Sequence, residues 1–176
     1  RDLVDALEPP PSAPATPPGS GLSPVLVVPV ADAADAAAAD ILVARLSTLG
    51  ISAEVAPVSS LGGEVAAMVL RLKPPLVVLV GLPPLAEDRL RYLGKRLRGC
   101  VPAGRLLGLA WQPAGAGAAG ATAAQGLSEA ADQSLRDLAH ALPRIGSLLN
   151  EAQQRQDLVA PEAASTVPVS LEPAKA

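Results

Sequence analysis

Apolar and polar positions along this chain fall into alternating short and long runs. The run 25-VLVVPV-30 is short, branched and apolar, as a strand buried on both faces is. In 32-DAADAAAADILVARLSTLG-50, which follows, Ala38, Leu42, Leu46 and Leu49 fall on one helical stripe. Asp32 stands where an N-cap belongs, Asp35 in the first turn, and Gly50 at the position just past the helix end that favours glycine. The pattern then repeats. The stretch 53-AEVAPV-58 reads as a strand, 63-GEVAAMVLRL-72 as a helix closed by Pro74 and Pro75, and 76-LVVLV-80 as a strand. A basic helix over 86–98 and a short strand at 105-RLLGLA-110 complete the series. Strands separated by helices of this length predict parallel pairing, so the expected fold is α/β: a doubly wound parallel sheet, flavodoxin-like, in three α/β/α layers.

Beyond Trp111 the pattern weakens. Residues 113-PAGAGAAGATAAQG-126 are low in complexity and read as a loop or a poor helix. Over 128–154 the spacing of Leu135, Leu138, Leu142, Ile145 and Leu149 predicts a helix, with Pro143 as a kink or break. A fifth strand within 132-DQSLRDL-138 would complete the fold, but the periodicity there favours helix. At the amino end, Leu3, Val4 and Leu7 give residues 1–8 the look of the last turns of an earlier helix, and the prolines of 9–23 make a semi-extended linker. The domain itself is expected over 24–154, and 155–176 as a disordered tail.

Composition changes this picture in two ways. Hydrophobic residues make up 49% of the 176, enough for a buried core, yet there is no Phe and only one Trp and one Tyr, so the core must be built from Leu, Val, Ile and Ala. The net charge of -3 argues against nucleic acid as a partner, because affinity for phosphates needs clustered excess Lys and Arg. The single cysteine, Cys100, cannot form an internal disulfide, which fits a reducing cytosol. No signal segment and no run of about 18 apolar residues is present, so the chain reads as a soluble piece, with Arg1 as a cut inside a longer one.

In open parallel sheets ligands bind beyond the carboxyl ends of the strands, here 31-ADAAD-35, 57-PVSSLGG-63, 81-GLPPLAED-88 and 110-AWQPAGAG-117. These ends are poor in chemistry. The third strand ends in Val80, Gly81 and Leu82, without the aspartate a phosphoacceptor domain needs, and neither a dinucleotide fingerprint nor a P-loop occurs. A cobalt-ligating Asp-x-His-x-x-Gly would need a histidine where Ala34 stands; the only histidine is His140, read as a solvent-side helix residue. What remains is a tentative crevice of Asp32, Asp35, Ser59, Ser60, Gly62, Gly63 and Trp111. Its serines and glycines either offer backbone donors to a phosphate or form a plain turn with capping serines. Asp32 and Asp35 are either paired carboxylates or first-turn acids favoured by the helix dipole, and Trp111 is either a lid or a core plug. No cofactor, no metal site and no acid/base or nucleophile constellation emerges, so the chain is not expected to be an enzyme.

One stretch stands apart. In 89-RLRYLGKRLRG-99, Leu90, Leu93 and Leu97 fall in a narrow arc, with Arg89, Arg91, Tyr92, Lys95, Arg96 and Arg98 on the remaining face. That face is either an ordinary solvated one or, around Arg91, Tyr92, Lys95, Arg96 and Arg98, a surface for anionic lipid or an acidic partner.

The series 76-LVVLVGLPPLAEDRLRYLGKRLRG-99, preceded by 25-VLVVPVADAADAAAADILVARLSTLGISAEV-55, resembles the soluble C-terminal domain of proteobacterial permeases of the autoinducer-2 exporter family. Leu82, Pro83 and Pro84 match the family's turn; Arg91, Tyr92, Leu93, Lys95, Arg96, Leu97 and Arg98 match its helix, in which Gly94 stands where a cysteine is often found. The likeness covers about residues 1 to 110. It implies a cobalamin-binding-like α/β domain without cobalt ligation, serving as a regulatory or interaction appendage of a multi-span permease. It further implies that the membrane-embedded part of the same polypeptide lies upstream of Arg1, on the cytoplasmic side of whose bacterial inner membrane this domain would sit. The rival expectation is a small-molecule sensor, taking a corrinoid or nucleotide in a histidine-free crevice.

Overall fold

A computed structural model describes residues 23–111 and 129–159, and for 87 and 156–159 the backbone alone. The expected helix end at 1–8, nearly all of the linker, the low-complexity segment and residues 160–176 lie outside the described residues.

Five strands form one all-parallel sheet in the order β2-β1-β3-β4-β5: β1 Val25–Pro29, β2 Ala53–Val55, β3 Val77–Gly81, β4 Leu106–Ala110 and β5 Gln133–Leu135. Helices α1 Ala33–Thr48, α2 Gly62–Leu72, α3 Glu87–Arg98 and α4 Leu138–Val159 connect and cover them. The strand order and the helices on both faces make this the expected α/β architecture.

The pleat decides which layer each strand residue joins. On one face, Leu26, Val28, Val77 and Leu79 pack with Val65 and Val69 of α2 and with Leu90, Leu93 and Leu97 of α3. On the other, Val25, Val27, Val78, Val80, Leu107 and Leu109 pack with Ala38, Leu42 and Leu46 of α1 and with Ala141, Ile145 and Leu148 of α4. Burial on both faces is why these strands are apolar at every position rather than at alternate ones. No aromatic side chain is among the buried hydrophobic residues described; Leu, Val, Ile and Ala fill both layers.

The structure departs from the sequence reading at four places. Residues 133–135, expected as helix, are strand β5, held by parallel pairing to Leu107–Leu109 and by an Asp132 amide that donates to the Leu106 carbonyl. The strand is only three residues long, too short for a period-2 signal, so pairing with the sheet edge prevails over local periodicity. Of the kink or break expected at Pro143, the break does not occur, and α4 continues to Val159, past the boundary expected at 154. The missing N–H of Pro143 removes the donor that would serve the Ala139 carbonyl at the i−4 position, and Ala139 is exposed. Leu49, expected on the apolar stripe of α1, is 58% exposed, because it is the C-cap residue and the chain turns away at Gly50 with φ of 73°. Arg89, expected on the exposed side of α3, is half-buried, drawn inward by the carbonyls it serves.

Candidate functional site

The strand order reverses between β1 and β3, and the crevice an open sheet offers a ligand lies beyond the carboxyl ends of these two strands. Asp35 occupies that place. Only 4% exposed, it accepts the Ala31 amide at 2.8 Å on Oδ2 and the Leu82 amide at 2.7 Å on Oδ1, so one carboxylate ties the loop after β1 to the loop after β3. Burial pushes the Asp35 carboxyl above its ordinary value; the Leu82 and Ala31 amides pull it back in part, and the nearby Asp32 charge pushes it further up. Asp32 has the separate task foreseen for it. Its Oδ1 accepts the Ala34 amide at 2.9 Å and the Asp35 amide at 3.1 Å, which caps α1. The two aspartates therefore do not face one another as an acid/base pair: each is committed to backbone N–H groups.

At the β2–α2 connection Ser59 is exposed and Ser60 buried. The amide of Ser60 donates to the Pro57 carbonyl, closing a turn, and no serine side chain caps α2. Instead Glu64 reaches back and its Oε2 accepts the Leu61 amide at 2.7 Å, placing a carboxylate at the helix start where an anion would go. The Tyr92 ring lies against Gly62 so closely that any Cβ there would collide with it, and the Arg96 guanidinium is 3.8 Å from where a Cβ on Gly63 would stand. Arg89 donates to the Val58 carbonyl at 2.9 Å and to the Ser60 carbonyl at 3.4 Å. Two features that the sequence lists separately, the Ser-Gly turn and the basic helix, are thus one surface.

The cations of α3 divide by what they do. Arg91 sits 3.5 Å from Asp88 and 3.9 Å from Glu129, and Arg98 donates to the Ala131 carbonyl at 3.3 Å. Lys95 and Arg96 are exposed and form no ion pair among the described residues. Tyr92 is 55% exposed and the adjoining Leu61 72%, so two apolar side chains flank the two cations that remain open to a partner.

Trp111 follows β4, its amide donating to the Gly81 carbonyl, and the half-buried residue packs against the α1–α4 layer of the core. It lies on the core side, as a plug does. His140, solvent-side as expected, has Nδ1 2.7 Å from Asp137 Oδ2; Asp137 also accepts the His140 amide at 2.8 Å at the start of α4, and these bonds hold its carboxyl below the usual range. Among the described residues, no three His, Cys, Asp or Glu side chains gather as metal ligands would.

Two anchoring residues escaped the sequence reading. Asp132 Oδ2 accepts the amides of Gly104 at 2.8 Å and Leu106 at 3.1 Å, joining the start of β4 to β5. Glu64 was the other, and Glu three residues after an N-cap position was the available signal. A groove of about 200 Å3 opens at the opposite pole, by the amino ends of β1 and β3, lined by Ser23, Val25, Ile51, Pro75 and Leu149 among others. No protein-family model and no curated protein matches this chain.

Proposed function

We propose that this chain is a non-catalytic regulatory or interaction domain on the cytoplasmic side of a bacterial inner membrane, attached to a multi-span permease of the autoinducer-2 exporter kind whose membrane-embedded part precedes Arg1. The observation that carries the reading is Asp35. Both oxygens of its buried carboxylate are engaged by the Ala31 and Leu82 amides across the crevice beyond β1 and β3. With that end of the sheet stapled, the surface left for recognition is the outer face of α3, where Tyr92, Lys95 and Arg96 stand exposed beside Leu61. Its charge suits anionic lipid head groups: a few basic side chains contribute roughly 1 kcal/mol each near a charged membrane. No helix among the described residues is long and apolar enough to cross a membrane.

Two measurements test the reading. Hydropathy of the reading frame upstream of Arg1, in windows of about 19 residues, should show several spans ending shortly before the linker; a soluble upstream region removes the permease. Sedimentation with phosphatidylcholine vesicles containing phosphatidylglycerol should carry the chain into the pellet, and Lys95→Glu with Arg96→Glu should release it. Pelleting that survives the double reversal overturns the lipid-facing role of α3.

A further inference from the structure

Charge is unevenly divided between the two helical layers. From Val65 to Lys73 along α2 and its cap, and from Arg89 to Arg98 along α3, no acid occurs, although the chain as a whole carries a net charge of -3. On the other side of the sheet, α1 presents Asp40 and its cap Asp32 to solvent. The two basic helices lie side by side, with Tyr92 against Gly62 and the Arg96 guanidinium beside Gly63. Leu70 stands two turns after Gly63 and therefore on the same side of α2, the side that borders α3. Beside it, Arg71 and Lys73 are exposed and, like Lys95 and Arg96, form no ion pair among the described residues. The acids nearest this face are engaged: Glu64 accepts the Leu61 amide and Asp88 lies by Arg91. Leu61, Leu70 and Tyr92 are each more than half exposed, so they project from the layer rather than line a concavity in it.

We infer that the whole α2–α3 layer seats on an anionic bilayer, Leu61, Leu70 and Tyr92 entering the head-group region while Arg71, Lys73, Lys95 and Arg96 meet phosphates around them. This rests on the lipid-facing reading of α3 and adds to it a second helix and an apolar insertion. Attraction between basic side chains and a charged membrane reaches about 10 Å before salt screens it, so charge alone gathers the domain at the surface without fixing how it sits. Apolar insertion acts only on contact, and side chains from two helices define a plane. Tyrosine suits that depth, with an apolar ring and a hydroxyl that stays among head groups. An acidic peptide would share the charge complementarity, but a helix laid on this layer needs a groove for its apolar face, and the apolar side chains here project. Seated in this way, the domain turns Asp32 and Asp40 of the opposite layer away from a surface of like charge.

Partition of the 176-residue chain onto phosphatidylcholine vesicles containing phosphatidylglycerol, measured by sedimentation over a range of lipid concentrations, tests it on three variants at exposed positions. Arg71→Glu with Lys73→Glu should weaken partition about tenfold or more, as two reversed charges near a charged membrane require. Leu70→Ser, which leaves every charge in place, should weaken it about fivefold through lost apolar burial. Arg45→Glu, on α1 in the opposite layer, should change it less than about twofold, because that layer faces away. If both α2 variants bind like the unaltered chain while Lys95→Glu with Arg96→Glu releases it, α3 alone meets the lipid: the two-helix inference falls and the reading of α3 stands. Equal weakening by Arg45→Glu and by the α2 charge reversal also overturns the inference, since no face is then preferred. An unaltered chain that stays in the supernatant removes the lipid-facing reading itself, and this inference with it, in favour of an acidic protein partner.

Discussion

Asp35 is the residue on which most turns. An asparagine there offers one acceptor oxygen where two amides now bind, and its NH2 group meets the N–H of either Ala31 or Leu82. Asp35→Asn should therefore destabilise the domain at pH 7 by about 1–3 kcal/mol in urea unfolding, despite removing a buried charge. The pH dependence has a definite sign. The folded-state pKa of Asp35 is raised, so the native state takes up the proton more readily than the unfolded one, and its contribution to stability is fully present below the ordinary aspartate value and lost as pH rises through the folded value. The stability gap between the unaltered chain and Asp35→Asn should widen on acidification through that window. Asp137 runs the other way: its folded pKa is lowered, so its contribution is present above the ordinary value and lost as pH falls through the folded one. The gap to Asp137→Asn should narrow over the acid limb, and matched urea titrations across it check both signs.

At the scale of the element, α3 and α4 each carry a glycine in mid-helix, and the two should respond oppositely to alanine. A Cβ on Gly94 would collide with the backbone of Ala130, which cannot yield as a flexible side chain can, whereas one on Gly146 meets nothing within 4 Å. Gly94→Ala should cost about 1–3 kcal/mol through overpacking, and Gly146→Ala should gain about 0.5–1 kcal/mol from helix propensity. Thermal unfolding of both variants settles the contrast. The close approach at Gly94 also accounts for the position itself: with Arg98 on the Ala131 carbonyl and Arg91 near Glu129, it presses residues 129–131 onto α3 and so positions β5 at the sheet edge. Part of the basic helix is therefore scaffolding, while Lys95 and Arg96 form no ion pair among the described residues.

For the whole molecule, the expected outcome of a cobalamin titration followed by visible absorbance is no change, since Ala34 offers no imidazole and the crevice beyond it is spanned by Asp35; a shifted corrinoid spectrum would restore the sensor reading. The sequence by itself determined the architecture. Three strands buried on both faces, β1, β3 and β4, and the helices between the strands are written as local apolar patterns, and Leu90, Leu93 and Leu97 or Ala38, Leu42 and Leu46 face the core because periodicity alone places them on one side. The caps at Asp32 and Gly50 are equally local, each acting within a few residues of itself. Only the tertiary structure decided what spans distance along the chain. Strand β5 exists because an edge is there to pair with, and Asp35 reaches Leu82, 47 residues away, where nothing near either residue announces the contact. The same holds for Arg89 on the Val58 and Ser60 carbonyls and Tyr92 on Gly62, which merge a turn and a helix into one surface. Periodicity reports which face of an element meets the core, but hydrogen bonds and contacts between loops depend on how the layers stack, and that is settled only when they pack.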